Sequence, residues 1–101
     1  MGTMVVVRYE TRGEAAEENE RLVRRVFAEL AEQRPDGLRY ATFRLADGVS
    51  LVHLPVVEGE ENPLTGSAAF ADFQKGIDER LARGPDRAEA TLVGSYRAFT
   101  S

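Results

Sequence analysis

The dipeptide Asp47-Gly48, set between two β-rich runs in the stretch from Leu38 to Val57, constrains this chain more than any other feature. Asp-Gly favours a tight type I′ hairpin turn, in which both central residues take φ > 0. As a two-residue loop it pairs Ala46 with Val49, and the rest of the register follows. Arg44 then faces Leu51, Phe43 faces Val52, Thr42 faces His53, Ala41 faces Leu54 and Tyr40 faces Pro55. One face of the hairpin (Ala41, Phe43, Val52, Leu54) is uniformly apolar and is expected to meet the core. The other is mixed and holds the only histidine of the chain.

The hairpin sits inside a longer order of elements. Met4 to Glu10 is rich in β-branched residues and reads as a first strand, with Val5, Val7 and Tyr9 on one face and Met4, Val6, Arg8 and Glu10 on the other. Thr11-Arg12-Gly13-Glu14 fits a capping box ahead of a helix whose Leu22, Val23, Val26, Phe27, Leu30 and Ala31 recur at helical spacing. Glu17 with Arg21 and Glu20 with Arg24 mark its solvated side, and Pro35 ends it. After the hairpin, an acidic loop leads to Ser67, a suitable N-cap for a second helix with Phe70, Phe73, Ile77 and Leu81 on one stripe. Gly76 weakens the middle of that helix by about 1 kcal/mol relative to alanine, and Gly84-Pro85 is expected to terminate it. Ala90 to Phe99 reads as the last strand. The order is βαββαβ, a ferredoxin-like α+β fold: a four-stranded antiparallel sheet with two helices on one face, within a single domain spanning 1–101.

Two helices cover only one side of such a sheet. With Val5, Val7, Ala41, Phe43, Val52, Leu54 and Val93 turned to the helices, the open side would carry Met4, Val6, Arg8, Tyr40, Thr42, Arg44, Leu51, His53, Leu92 and Tyr96. At about 25 cal/mol per Å² of apolar surface, leaving Met4, Val6, Leu51 and Leu92 in water forgoes several kcal/mol. A second copy packed sheet to sheet is the economical cover, so a homodimer is expected.

Composition narrows the function classes. The 101 residues are 43% hydrophobic and 30% charged, as in ordinary globular domains. A net charge of −4 works against nucleic-acid binding. The longest apolar run, Met4 to Val7, is far too short to span a bilayer, and no signal segment is visible, so no membrane association and a cytoplasmic location are expected. Cysteine is absent, which removes thiolate chemistry and cysteine metal sites. No dinucleotide, Walker or nucleophile-elbow motif is present, and no cofactor or metal is expected.

The βαββαβ order, the Val-Val-Val-Arg-Tyr start, the His53 strand and the run from Glu61 to Gln74 (Glu-Asn-Pro-Leu-Thr-Gly-Ser-Ala-Ala-Phe-Ala-Asp-Phe-Gln) together resemble the dimeric α/β-barrel superfamily. Within it they look most like small proteins related to antibiotic biosynthesis monooxygenases. The resemblance implies that two sheets form a barrel and that a small organic ligand sits between sheet and helices or inside it. Members include cofactor-independent oxygenases, haem-degrading enzymes, isomerases and many proteins without known activity. The chain lacks the tryptophan that the haem-degrading branch uses in its pocket, and has no counterpart of that branch's strand-one asparagine.

His53 is the natural catalytic candidate, because its ordinary pKa near 6.5 suits acid–base work. The competing reading is a histidine that bonds across the hairpin to Thr42 or lies at a dimer seam. Arg8 and Arg44 share the mixed face in this reading, where a guanidinium either pairs with Glu10, Asp47 or a carboxylate of the second copy, or clamps a ligand oxyanion. Tyr40, Thr42 and Tyr96 complete the candidate ligand pocket as hydrogen-bond donors or stacking surfaces. The expected activity is cofactor-independent oxidation, or proton transfer, on a polyketide-like or quinol-like aromatic, with His53 as base. The alternative is a ligand-binding or dimerisation module without turnover.

Overall fold

The computed structural model describes residues 3–98. Strand β1 (Thr3–Thr11) leads through a 3₁₀ turn (Gly13–Ala15) into helix α1 (Ala16–Gln33). Strands β2 (Leu38–Arg44) and β3 (Ser50–Val57) form the hairpin. A second 3₁₀ turn (Pro63–Gly66) is followed by α2 (Ala68–Gln74), α3 (Ile77–Arg80) and β4 (Leu81–Ala90). The sheet order is β2-β3-β1-β4, with every neighbouring pair antiparallel. This is the ferredoxin-like order expected from the sequence. Among the described residues no helix is long and apolar enough to cross a membrane.

The hairpin register is the expected one at every pair from Tyr40↔Pro55 to Arg44↔Leu51. The turn that sets it differs. Only Gly48 takes positive φ, at 81°, and its N–H donates to the Leu45 carbonyl at 2.9 Å. The Asp47 carboxylate holds the loop closed by accepting from the Val49 and Ser50 amides and from the Ser50 hydroxyl. A four-residue loop thus replaces the type I′ turn at the same register, because a carboxylate that satisfies three donors removes any need for Asp47 to enter the left-handed region.

The faces of the hairpin are reversed from expectation. Leu51 and His53 are buried beneath the helices, while Val52, Leu54 and Val56 lie on the opposite side with Met4 and Val6. The core joins Tyr9, Leu51 and Leu81 of the sheet to Leu22, Val23, Val26 and Phe73 of the helices, with Val7 and Tyr40 packed against them. Pairing of Val7 with His53 decides the matter: a residue of β1 that faces the helices carries its cross-strand partner to the same side.

Helix ends follow local chemistry, with one exception. Ser67 caps α2, its hydroxyl accepting the Phe70 amide at 3.0 Å and donating to Glu29 of α1 at 2.6 Å. Arg34 closes α1 in the left-handed region at φ 48°, just ahead of Pro35. The capping box at the start of α1 does not form, because β1 extends to Thr11, whose hydroxyl bonds the Val49 carbonyl instead.

Two further expectations fail together. The second helix breaks at Gly76 (φ 76°), and the last strand begins at Leu81 rather than Ala90, running through a cis Gly84-Pro85 bond. A strand containing glycine, proline and four charged residues is tolerable only at a sheet edge, which is where β4 lies. Gly84 is required there. At φ 89° an added Cβ would fall 3.0 Å from the Arg8 carbonyl oxygen and 3.2 Å from the Tyr9 Cα. With β4 placed early, residues 91–98 form no strand, and Val93 is 98% exposed rather than in the core; Phe99 lies outside the described residues.

Candidate functional site

Adjacent strands bring three polar rings together under the helices. His53 on β3 stands opposite Thr42 of β2 and opposite Val7 of β1, and Tyr9 and Tyr40 flank it diagonally. The Tyr9 hydroxyl lies 2.7 Å from His53 Nε2, and the Tyr40 hydroxyl lies 2.6 Å from Nδ1. The Thr42 hydroxyl is 3.1 Å from the same Nδ1. Tyr9 stacks on the imidazole with ring centres 5.2 Å apart, and Phe73 approaches at 5.5 Å. His53 has two aromatic rings packed against it and a hydroxyl at each nitrogen.

The network runs deeper than the sheet. Asn19 of α1, with no exposed surface, donates through Nδ2 to the Tyr9 hydroxyl at 3.0 Å. Its Oδ1 accepts from Arg80 Nε, also at 3.0 Å. Arg80 is itself 6% exposed. Its other nitrogens donate to the carbonyls of Lys75 (3.2 Å) and Phe73, and its guanidinium sits over the Phe73 ring. Among the described residues no buried side-chain polar atom lacks a partner. That satisfaction is why a mixed face can be the buried one: each polar group carried inside meets a partner there.

Burial dominates the electrostatics. It pushes His53 down to about 4, because the charged imidazolium would lose its hydration. The same effect raises the Tyr9 and Tyr40 hydroxyls to about 12. All three groups are therefore neutral across the physiological range. Stability follows with a definite sign. The unfolded chain takes a proton on His53 near 6.5 and the folded chain only near 4, so falling pH favours unfolding throughout that window, at a total of roughly 3 kcal/mol. The carboxyls of Glu20, Glu29 and Asp47 are held low by their hydrogen bonds, and their contribution is lost as pH falls through and below the ordinary carboxylate range. Urea unfolding at pH 7 and pH 4.5 is expected to show most of the His53 loss, and a His53→Gln variant to flatten it. Equal pH dependence in that variant would mean that His53 is not buried as described.

A cleft of about 390 Å³ opens over this cluster, within the range of small-molecule sites. Val7, Pro55, Leu64, Phe70, Phe73 and Ile77 supply apolar walls, and Tyr40 and His53 form a polar floor. Asn62, Gln74 and Arg87 add polar groups to the lining. Arg87 is placed by register: Val7 pairs with His53 on one side and with Arg87 on the other, setting the three in a row across β3, β1 and β4.

A larger cleft of about 590 Å³ lies on the far side of Thr42, lined by Glu20, Arg24, Phe27 and Arg44. Its charges answer one another. Glu20 accepts from Arg24 at 3.0 Å and from Arg44 at 2.7 Å, which leaves little for a ligand to claim.

Of the residues expected at the site, His53, Tyr40 and Thr42 come together. Arg44 stands beyond Thr42, bound to Glu20 and to the Gly48 carbonyl. Arg8 lies on the opposite face of the sheet, exposed and in register with Asp86, so the expected Arg8–Arg44 pairing on one face does not occur. Tyr96 lies beyond β4, 82% exposed beneath the Arg97 guanidinium. Tyr9, Asn19, Asn62, Arg80 and Arg87 were not among the residues expected from sequence. Asn19 carried a signal, since it falls in the stripe of α1 with Leu22, Val23 and Val26, where a polar residue asks for a buried partner.

Comparison of this architecture with solved structures returns one fold repeatedly. Rv0793 from Mycobacterium tuberculosis superposes with a TM-score of 0.69 at 22% identity, over 94% of this chain and 98% of that one. SnoaB, a cofactor-independent oxygenase from Streptomyces nogalater, gives 0.66 at 19% identity, over 93% and 95%. The fold is that of the antibiotic biosynthesis monooxygenases. A Nitrosomonas europaea protein described as a candidate antibiotic biosynthesis monooxygenase gives 0.75 at 11% identity, over 91% and 90%. At these identities the likeness concerns the monooxygenase-type fold alone. No family profile and no curated protein sequence matches the chain.

Proposed function

We propose that the cleft over His53 binds a flat, largely apolar small molecule through an acceptor oxygen, and that it supports oxidation of a hydroxylated or keto aromatic by O₂ without a cofactor. The observation that carries this reading is the polar floor of Tyr40 and His53 within apolar walls, with a cation in the same lining at Arg87, two strands from His53. Arg87 takes the charge-stabilising role that the sequence suggested for Arg8 or Arg44.

An anthrone illustrates the chemistry. Loss of a methylene proton to water gives an oxyanion, which the Tyr40 hydroxyl and Arg87 stabilise. The anion passes one electron to O₂, and the resulting radical and superoxide combine into a peroxide at the same carbon. Protonation, cleavage of the O–O bond and loss of water leave a carbonyl. The sum is anthrone plus O₂ giving anthraquinone plus water, with O₂ the sole oxidant.

One observation favours a second reading, binding without turnover. Both nitrogens of His53 are already engaged, so no free lone pair faces the cleft to take a proton.

The site is proposed to work in a homodimer. Met4 and Val6 of β1 and Val52, Leu54 and Val56 of β3 form a continuous apolar band on the face away from the helices, in register with Ala88 and Ala90 of β4. A second copy of the same band is its natural cover.

Calorimetric titration with anthraquinone-2-sulfonate, run beside light scattering, tests this reading. One molecule is expected to bind per chain, on a particle of twice the 11.2 kDa chain mass. Tyr40→Phe and Arg87→Ala should each weaken binding about tenfold, and Arg8→Ala not at all. Unchanged affinity in the first two variants would remove the ligand from this cleft, and a monomer at micromolar concentration would remove the second copy.

A further inference from the structure

The buried hydrogen bonds that end at His53 have a direction, and it is fixed from the far end. Arginine only donates, so the Asn19 atom 3.0 Å from Arg80 Nε is the amide oxygen. The Asn19 NH₂ group is then the one that meets the Tyr9 hydroxyl, and donates to it. Tyr9 is 3% exposed, and its hydroxyl has two partners, Asn19 and His53. With Asn19 donating, the Tyr9 proton has one acceptor left, His53 Nε2. Were Nε2 protonated instead, two donors would meet at the Tyr9 oxygen and its own proton would find no acceptor among the described residues. A neutral imidazole with a bare Nε2 carries its hydrogen on Nδ1, facing the oxygens of Tyr40 and Thr42.

We infer that Arg80, through Asn19 and Tyr9, fixes the Nδ1–H tautomer of His53 and thereby turns the Tyr40 hydroxyl proton outward, making Tyr40 an obligate donor that selects ligands with a proton-free oxygen, a carbonyl or a phenolate. The ligand part of this inference rests on the function proposed above, whereas the tautomer is a property of the free protein. Arg80, Asn19 and Tyr9 are positioning residues that act through His53, although Tyr9 itself lines the cleft. Arg80 and Asn19 do not line the cleft. The Thr42 hydroxyl also bonds to the Tyr40 oxygen and favours its charged form, so it donates there, which leaves the Tyr40 hydroxyl proton the cleft that Tyr40 lines.

The chain has one histidine, so ¹⁵N NMR of its imidazole reads the tautomer without assignment. At pH 7.5 the wild-type ring is expected to show a protonated Nδ1 and a bare Nε2, the reverse of the preference of a free side chain in water. Asn19→Asp provides the decisive variant. Its carboxylate still accepts from Arg80 but also accepts from Tyr9, so the Tyr9 proton turns away, Nε2 becomes the donor, and the Tyr40 proton turns inward to Nδ1. The tautomer should switch, and anthraquinone-2-sulfonate should bind about tenfold more weakly.

Tyr40→Phe supplies the second arm, since it leaves the Arg80–Asn19–Tyr9 contacts untouched. If the tautomer is set from the Arg80 end, Nδ1 stays protonated and bonds to Thr42. A proton on Nε2 in the wild type, or a switch in Tyr40→Phe, would overturn the inference, as would an unchanged ring in Asn19→Asp. Correct tautomers without any binding of the probe would leave the relay standing and count against the proposed ligand instead.

Discussion

Replacing Arg80 with methionine is expected to destabilise the protein by about 3–5 kcal/mol, although Arg80 forms no ion pair among the described residues and stands at the end of a single helical turn. The guanidinium satisfies three acceptors at once, the buried Asn19 Oδ1 and Phe73 carbonyl and the half-buried Lys75 carbonyl. Methionine fills much of the volume but donates nothing, and each stranded acceptor costs about 1–3 kcal/mol. Single domains of this size hold only about 5–15 kcal/mol in total. Arg80→Met should therefore unfold at markedly lower urea, with loss of order beginning where α3 passes into β4. Arg80→Lys should recover little, because one ammonium cannot reproduce a planar fork aimed at three oxygens. Arg39→Ala serves as the control. Arg39 pairs with Glu58 at 3.2 Å, but its side chain is 79% exposed, and a change within about 0.5 kcal/mol is expected. A loss at Arg80 no larger than the loss at Arg39 would show that the guanidinium is not the buried anchor described.

The same residue shows where sequence reasoning reached and where it stopped. The hairpin register was legible from Asp47-Gly48, and held even though the turn closes by a different device, because an inward/outward alternation over seven residues leaves the pairing little freedom. The element order was legible for the same reason: periodicity in β1, α1 and the hairpin is strong. The choice of buried face was not. Counting apolar residues favours Ala41, Phe43, Val52 and Leu54 as the core, and that face is indeed the more apolar. The chain buries the other one because Tyr9, Asn19, His53 and Arg80, spread over about seventy residues and four elements, satisfy one another when brought together. No local window contains that information. β4 was hidden by its composition, since an edge strand needs neither apolar alternation nor a full set of amide donors.

The reversal of faces sharpened the functional reading. On an open sheet face, His53 would have been a titrating side chain at a seam. Beneath the helices it is a neutral, doubly bonded ring at the floor of a cleft, and the apolar band lies on the opposite face, where the proposed second copy would cover it. Arg87 reaches the cleft for a related reason, since β4 lies one strand beyond Val7 and presents alternate residues to the same side.

Oxygen uptake with dithranol, a hydroxylated anthrone, tests the claim that chemistry takes place at this floor. The wild-type protein is predicted to consume one O₂ per dithranol at a rate well above autoxidation, without added metal, flavin or reductant. His53→Ala and Tyr40→Phe are predicted to fall to the background rate, the first by removing the group that orients Tyr40 and the second by removing the donor to the developing oxyanion, while Arg8→Ala on the opposite face keeps full activity. Full activity in His53→Ala and Tyr40→Phe, or a wild-type rate no faster than autoxidation, would contradict it.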